Sequence, residues 1–471
     1  MDDKTRNKVL LVLFLGVLMG ALDIAIVAPA LPSIQAYFGV GTRVLTWTFT
    51  IYVLFNLIGT PLMAKLSDMY GRRSIYTLDV TLFALGSLIV ALSPANMFAM
   101  FLVGRAMQGF GAGGIFPVAS AVIGDTFPPE KRGGALGLIG AVFGLAFLVG
   151  PILGGIILTF TTWQWLFIIN LPIALAVILL GWRVLPVTHP ANNPPFDWAG
   201  MLTLGVMLAS LAFGLNQINV QNFFPSLLSL NVWPFLLIAV ILLFVFTRLE
   251  MKADAPILNL NLFKSRQTVL ASMLSTGAGL GESGMVFIPA LAVAAMPAII
   301  NTRNASYFLM PVVLAMAFGS PLVGRLLDKF GSKLMVFSGT LLLCVGMMML
   351  SSSLTSTLWG FIAAAAVIGL GLSSLLGAPM RYIMLNEASA ADRTSAQGVI
   401  TLFTSIGQLT SSALIGAVVA SMGGGVKGYS AAYMVIGIIA GIMVFLTLGL
   451  KNRQQELSTI EQHAQTLPAT D

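Results

Sequence analysis

Asp23, Asp79, Glu282 and Arg105 each sit inside long apolar stretches of the chain. An ionisable group in hydrocarbon is costly and usually marks an ion or substrate pathway. Burial disfavours the charged form of a carboxylate, so such an acid holds a proton until a cation displaces it. The chemistry on offer is therefore exchange of a proton for a cation. The plainer reading is that each acid bonds a helix backbone or pairs with a neighbouring base. That reading is the stronger one for Asp79, which lies near Arg72 and Arg73 in sequence. Arg105 is either a partner in a proton relay or a tie for loop carbonyls. Other chemistries have no residues to support them. Cys344 is the only cysteine, His189 and His463 are the only histidines, and no Gly-Lys-Ser/Thr phosphate loop occurs, so no metal, organic cofactor or enzyme activity is expected.

The elements that carry these groups follow from composition. The 471 residues are 57% hydrophobic and 9% charged, whereas a soluble domain is roughly a quarter charged. So few charges leave lipid as the solvent for most of the surface. The net charge of +7 comes from single or paired bases between apolar runs rather than a basic tract, which argues against nucleic acid. About 20 apolar residues cross a bilayer, and 14 such segments begin near Val9, Val44, Ser74, Met97, Gly134, Trp165, Ala199, Trp233, Thr268, Tyr307, Leu334, Leu358, Ser395 and Ala431. Most bases, Arg381 and Arg393 among them, then fall on the side of the termini, with Arg43, Arg303 and Lys427 opposite. The positive-inside rule makes both termini cytoplasmic. The start of the chain has no convincing cleavage site, so the first span is expected to stay in place.

An internal repeat supplies the architecture. The stretch Ala64–Arg73 recurs from Gly324 to Lys333, 260 residues later, and duplicated halves are a transporter signature. Two six-helix halves, 1–183 and 267–450, then flank two extra spans at 184–266. The polar tail 451–471 has no apolar face and is expected to be loosely ordered. The repeat also brings Asp23 to within one residue of equivalence with Glu282, so the two acids are expected to face one another across a central cavity. In the repeated loop, Asp68 and Asp328 are placed where the next helices begin and favour their dipoles. Gly71 and Gly331 allow a tight turn, and Arg72, Arg73 and Lys333 are expected to pair with acids across the halves as a latch. Gly150, Pro151, Gly154 and Gly155 in the fifth span predict a bend packed closely on another helix. Trp47, Tyr52, Asn56, Gln108 and Met285 are candidates for a substrate wall, combining expected placement with polar or adaptable side chains.

These features together resemble the 14-span drug:proton antiporters of the major facilitator superfamily over nearly the full length. The run from Leu22 to Pro32 looks like the family's first-span motif. Asp68, Gly71, Arg72 and Arg73 match its loop motif, and Arg105, Gln108 and Gly109 its fourth-span motif. Gly137, Gly150, Pro151, Gly154 and Gly155 match the antiporter motif of the fifth span. Trp163, Gln164 and Trp165, with Asn170, Pro172 and Phe196 to Trp198, are further family habits. Ala64 and Ala146 stand where glycine is expected, which predicts looser packing there. The resemblance implies an all-α polytopic protein of the major facilitator fold in a bacterial plasma membrane. It implies a monomer that exports amphipathic, cationic compounds, draws on the proton gradient and meets only protons, its substrates and membrane lipids. Lipid translocation and export of one dedicated metabolite are the alternative activities within the same fold.

Overall fold

The computed structural model describes residues 2–45, 47–188, 196–218, 222–254, 256–300, 305–389 and 392–465. Of the residues singled out above, His189 and Arg303 lie outside that set, as do the side chains of Arg43, Pro151 and His463. Among the described residues the chain is helical, with no strand. In order the main helices are α1 (Asp3–Phe38), α2 (Trp47–Tyr70), α3 (Arg72–Ala91), α4 (Phe98–Thr126), α5 (Pro129–Phe160) and α6 (Asn170–Val184). Two more follow, α7 (Trp198–Asn216) and α8 (Trp233–Glu250). The second half has α9 (Arg266–Met285), α10 (Ile288–Ala295), α11 (Met310–Phe330), α12 (Ser332–Ser351), α13 (Leu358–Leu375), α14 (Ala378–Glu387), α15 (Arg393–Ser421) and α16 (Gly425–Thr447). A final helix, α17, runs Arg453–Gln465. Helix is the form a membrane imposes, because lipid offers no partner for backbone N–H and C=O groups.

Thirteen of the described helical segments are long and apolar enough to span a bilayer, the segment Leu358–Glu387 counting α13 and α14 together. The fourteenth expected span is the pair α9 and α10, bent by 44°. Helices α7 and α8 pack on one another, and α7 also touches α2. The outer face of α8 exposes Leu237, Ile241 and Phe244, as a lipid-facing helix should.

The halves meet along two matched seams. In one, α5 lies against α11, where a Cβ added at Gly137 would come within 2.7 Å of the Ser320 carbonyl oxygen. Only a glycine admits that approach. In the other, α2 lies against α15, and Ala64 is met there by Gly398, so the partner helix supplies the missing small residue. Ala146 is likewise fully buried. Helix α5 is continuous through Gly150–Gly155, with no break at the expected bend. Gly150 packs on Ala25 of α1 and Gly154 is buried, but Gly155 is exposed and touches no neighbouring side chain, so close packing there involves only part of the motif.

The tail is not loose over its first turns. Glu456 of α17 accepts hydrogen bonds from the backbone N–H (3.0 Å) and hydroxyl of Ser332, capping α12. Arg453 donates to the Tyr382 hydroxyl at 2.8 Å and to the Asp328 carbonyl at 2.7 Å. Its anchor is polar capping rather than an apolar face, which hydropathy does not register. Burial pushes the Glu456 carboxyl up from the usual carboxylate range, against the pull of Ser332.

Candidate functional site

Asp23 does not face Glu282. It is 1% exposed inside the first half, where α1, α3, α4 and α6 converge. Arg105 Nη1 donates to Asp23 Oδ2 at 2.6 Å, Gln108 Nε2 donates to Oδ1 at 2.9 Å and Asn170 Nδ2 to Oδ1 at 3.1 Å. Ser87 accepts from Gln108 at 2.8 Å and from Asn170 at 3.3 Å. Arg105 also donates through Nε to the Thr48 carbonyl at 3.2 Å and lies 4.4 Å from the Tyr52 ring centre. Both Asp23 oxygens are thus bonded within a connected network, while Arg105 Nη2 has no hydrogen-bond partner among the described residues. The one-residue slip between the repeats is enough to turn equivalent positions about 100° around a helix, which separates the acids.

Glu282 does line a cavity between the halves, of about 300 Å³. That is at the lower end of the range for small-molecule sites. Gln408 Nε2 donates to Glu282 Oε2 at 2.7 Å, and no described base comes within ion-pair distance of the acid. Tyr52 and Asn56 share the wall, as do Phe116, Phe143 and Phe147. Three of the expected wall residues do not. Gln108 belongs to the Asp23 network, Met285 is in the core of the second half, and Trp47 packs on Phe213. The wall contains Arg381, which hydropathy had grouped with the loop-side bases. The missed polar wall residues carried a signal: Thr401, Thr404, Ser405 and Gln408 recur at helical spacing along one stripe of an otherwise apolar span.

Both loop aspartates act across the halves rather than on the next helix of their own. Asp68 accepts from the backbone N–H groups of Thr394 (3.1 Å) and Ser395 (2.8 Å) at the start of α15. Asp328 accepts from those of Gly133 (2.7 Å) and Gly134 (2.8 Å) in the second turn of α5. Each carboxylate thus meets the positive end of a helix from the other half. Gly71 and Gly331 hold φ of 94° and 84°, the left-handed region that glycine enters without strain. Arg72 joins Asp68 and Asp125, and Asp125 Oδ1 accepts from Arg393 at 2.5 Å, which carries the ion-pair chain to the second half. Arg73 and Lys333 stay on their own halves. Arg73 donates to the Trp182 carbonyl at 3.2 Å and Lys333 to that of Leu448 at 2.8 Å.

Asp68→Asn removes charge from this capping and from Arg72. Charge-assisted bonds of this kind contribute about 1.5–3 kcal/mol, so the ratio of closed to open forms should fall by about 10-fold or more. Spin labels placed on each half at the loop end, in a chain lacking Cys344, would report a new longer distance. An unchanged distance distribution would remove Asp68 from the latch. Asp79 is a different case. It is fully buried, no hydrogen-bond partner for either carboxyl oxygen is found among the described residues, and it pairs with neither Arg72 nor Arg73. No base depends on it, so Asp79→Asn should leave the melting temperature and transport unchanged; a large loss of either would show a partner for its charge.

A many-helix membrane protein with two matched halves and a cavity between them has the build of a transporter. The chain belongs to the major facilitator superfamily, whose family model matches residues 13–310 and 283–470. It is 33% identical to YfiU of Bacillus subtilis (strain 168), an uncharacterised MFS-type transporter, over 86% of this chain and 78% of that one. It is 29% identical to the multidrug transporter protein MdtP of the same organism, over 90% of this chain and 77% of that one. The human organic anion transporter MFSD10 shares the fold, with a TM-score of 0.69 at 16% identity over 95% of this chain and all of the other.

Proposed function

We propose that the protein is a proton-coupled antiporter of the plasma membrane, with both termini in the cytoplasm, working as a monomer to export amphipathic cationic compounds. The observation that carries this reading is Glu282, an acid on the wall of the cavity with no base beside it, beneath an end shut by the latch. A proton and a cationic cargo then compete for one carboxylate, and each turn of the cycle exchanges them. Aromatic walls suit flat, lipophilic bodies. The basic loops lie at the latched end, so the latch is the cytoplasmic gate and the cargo leaves on the opposite side. Likeness to a multidrug transporter supports a drug-like cargo.

The test is uptake of a fluorescent lipophilic cation into inverted vesicles under an imposed proton gradient, acid inside. Uptake that collapses with a protonophore supports exchange. No uptake by folded, inserted protein would shift the reading to lipid cargo.

A further inference from the structure

Arg381 is 4% exposed on α14, it lines the cavity, and the export reading does not use it. Its guanidinium lies 3.5 Å from the centre of the Phe116 ring, which comes from the other half. Its hydrogen bonds to neutral partners are long, 3.4 Å to Gln397 and 3.3 Å to Thr401, and its Nε has no partner among the described residues. No described carboxylate is within ion-pair distance. Two other buried arginines behave otherwise: Arg105 and Arg72 each hold an aspartate. A buried guanidinium needs an anion or several strong acceptors to offset its lost hydration, and this one faces a space a ligand can fill.

Its depth differs from that of Glu282. The guanidinium at Thr401 and the carboxylate at Gln408 are about 10 Å apart along α15, toward opposite ends of one aromatic-walled space.

We infer that Arg381 is a binding subsite for a carboxylate or similar anionic oxygen group on the cargo, so that the cavity takes dipolar amphiphiles with the anionic end toward the cytoplasmic gate. A planar fork of donors suits a carboxylate, which it binds through two parallel bonds. This subsite deepens the export reading and rests on it for the direction of travel, but its binding test does not require transport.

The test compares two probes on the purified full chain by fluorescence anisotropy: a rhodamine with a free benzoate, and its methyl ester. The two differ in one negative charge and little else. The parent is expected to bind the acid about 10-fold more tightly than the ester. Arg381→Gln should erase that preference by weakening the acid alone, and Arg381→Lys should restore part of it. An ester bound as tightly as the acid by the parent, no binding of either, or equal weakening of both dyes by Arg381→Gln would overturn the subsite. The comparison of dyes on the parent needs no variant to fold. Loss of protonophore-sensitive ester uptake with the acid preference intact would instead sink the export reading and leave the subsite standing.

Discussion

Glu282→Gln is expected to abolish proton-driven accumulation of a lipophilic cation while leaving the protein folded. An imposed gradient of two pH units supplies about 2.7 kcal/mol per proton and supports about 100-fold accumulation for one-to-one exchange. Glutamine has the shape of the acid but carries no titratable proton, so the accumulation ratio should fall to about 1 with no coupling left to sustain it. Folding should survive because, among the described residues, the acid is held by the Gln408 amide, which can turn to offer its oxygen to the new amide nitrogen. Accumulation by the variant at the level of the parent would place the coupling elsewhere, with Asp23 the next residue to examine.

Arg105→Ala should be the most destabilising single change in the first half. It strands Asp23 in a site where neither partner has any exposed side chain, and removing one member of a buried ion pair costs about 3–5 kcal/mol. The loss also frees Gln108 Oε1, which accepts from Arg105 at 2.8 Å, and the Thr48 carbonyl. Arg105→Ala combined with Asp23→Asn should recover a large part of that loss, since the amide needs no counter-charge. Thermal unfolding of the four members of this cycle measures the coupling directly. Additive losses would mean that the pair does not act as a unit.

The contrast between these two acids shows how far the sequence could be read. Hydropathy placed the spans because lipid demands long apolar helices, and the repeat of Asp68 at Asp328 set the two halves in register. The same hydropathy could not distinguish Asp23 from Glu282, since both are lone acids in apolar runs. What separates them is Arg105, Gln108 and Asn170 arriving from α4 and α6, contacts 82 to 147 residues apart in the chain. Arg381 was misplaced for a related reason. It lies only six residues from the end of its helix, where a base ordinarily reads as a topology signal, and only the approach of Phe116 makes it part of the cavity. The tail helix escaped notice because a single glutamate capping Ser332 leaves no periodic pattern.

The crossed capping by Asp68 and Asp328 has a consequence for how the chain is assembled. The start of each seam helix is met from the other half: α5 by a carboxylate of the second, and α15 by one of the first. A free first half would lack the carboxylate that meets the Gly133 and Gly134 amides of α5, and its Asp68 would keep Arg72 but lose the amides of α15; a free second half would lack the converse contacts. Made as two separate polypeptides, the fragments hold complementary plugs and sockets, so the seam between the halves is also the seam along which a split protein would heal.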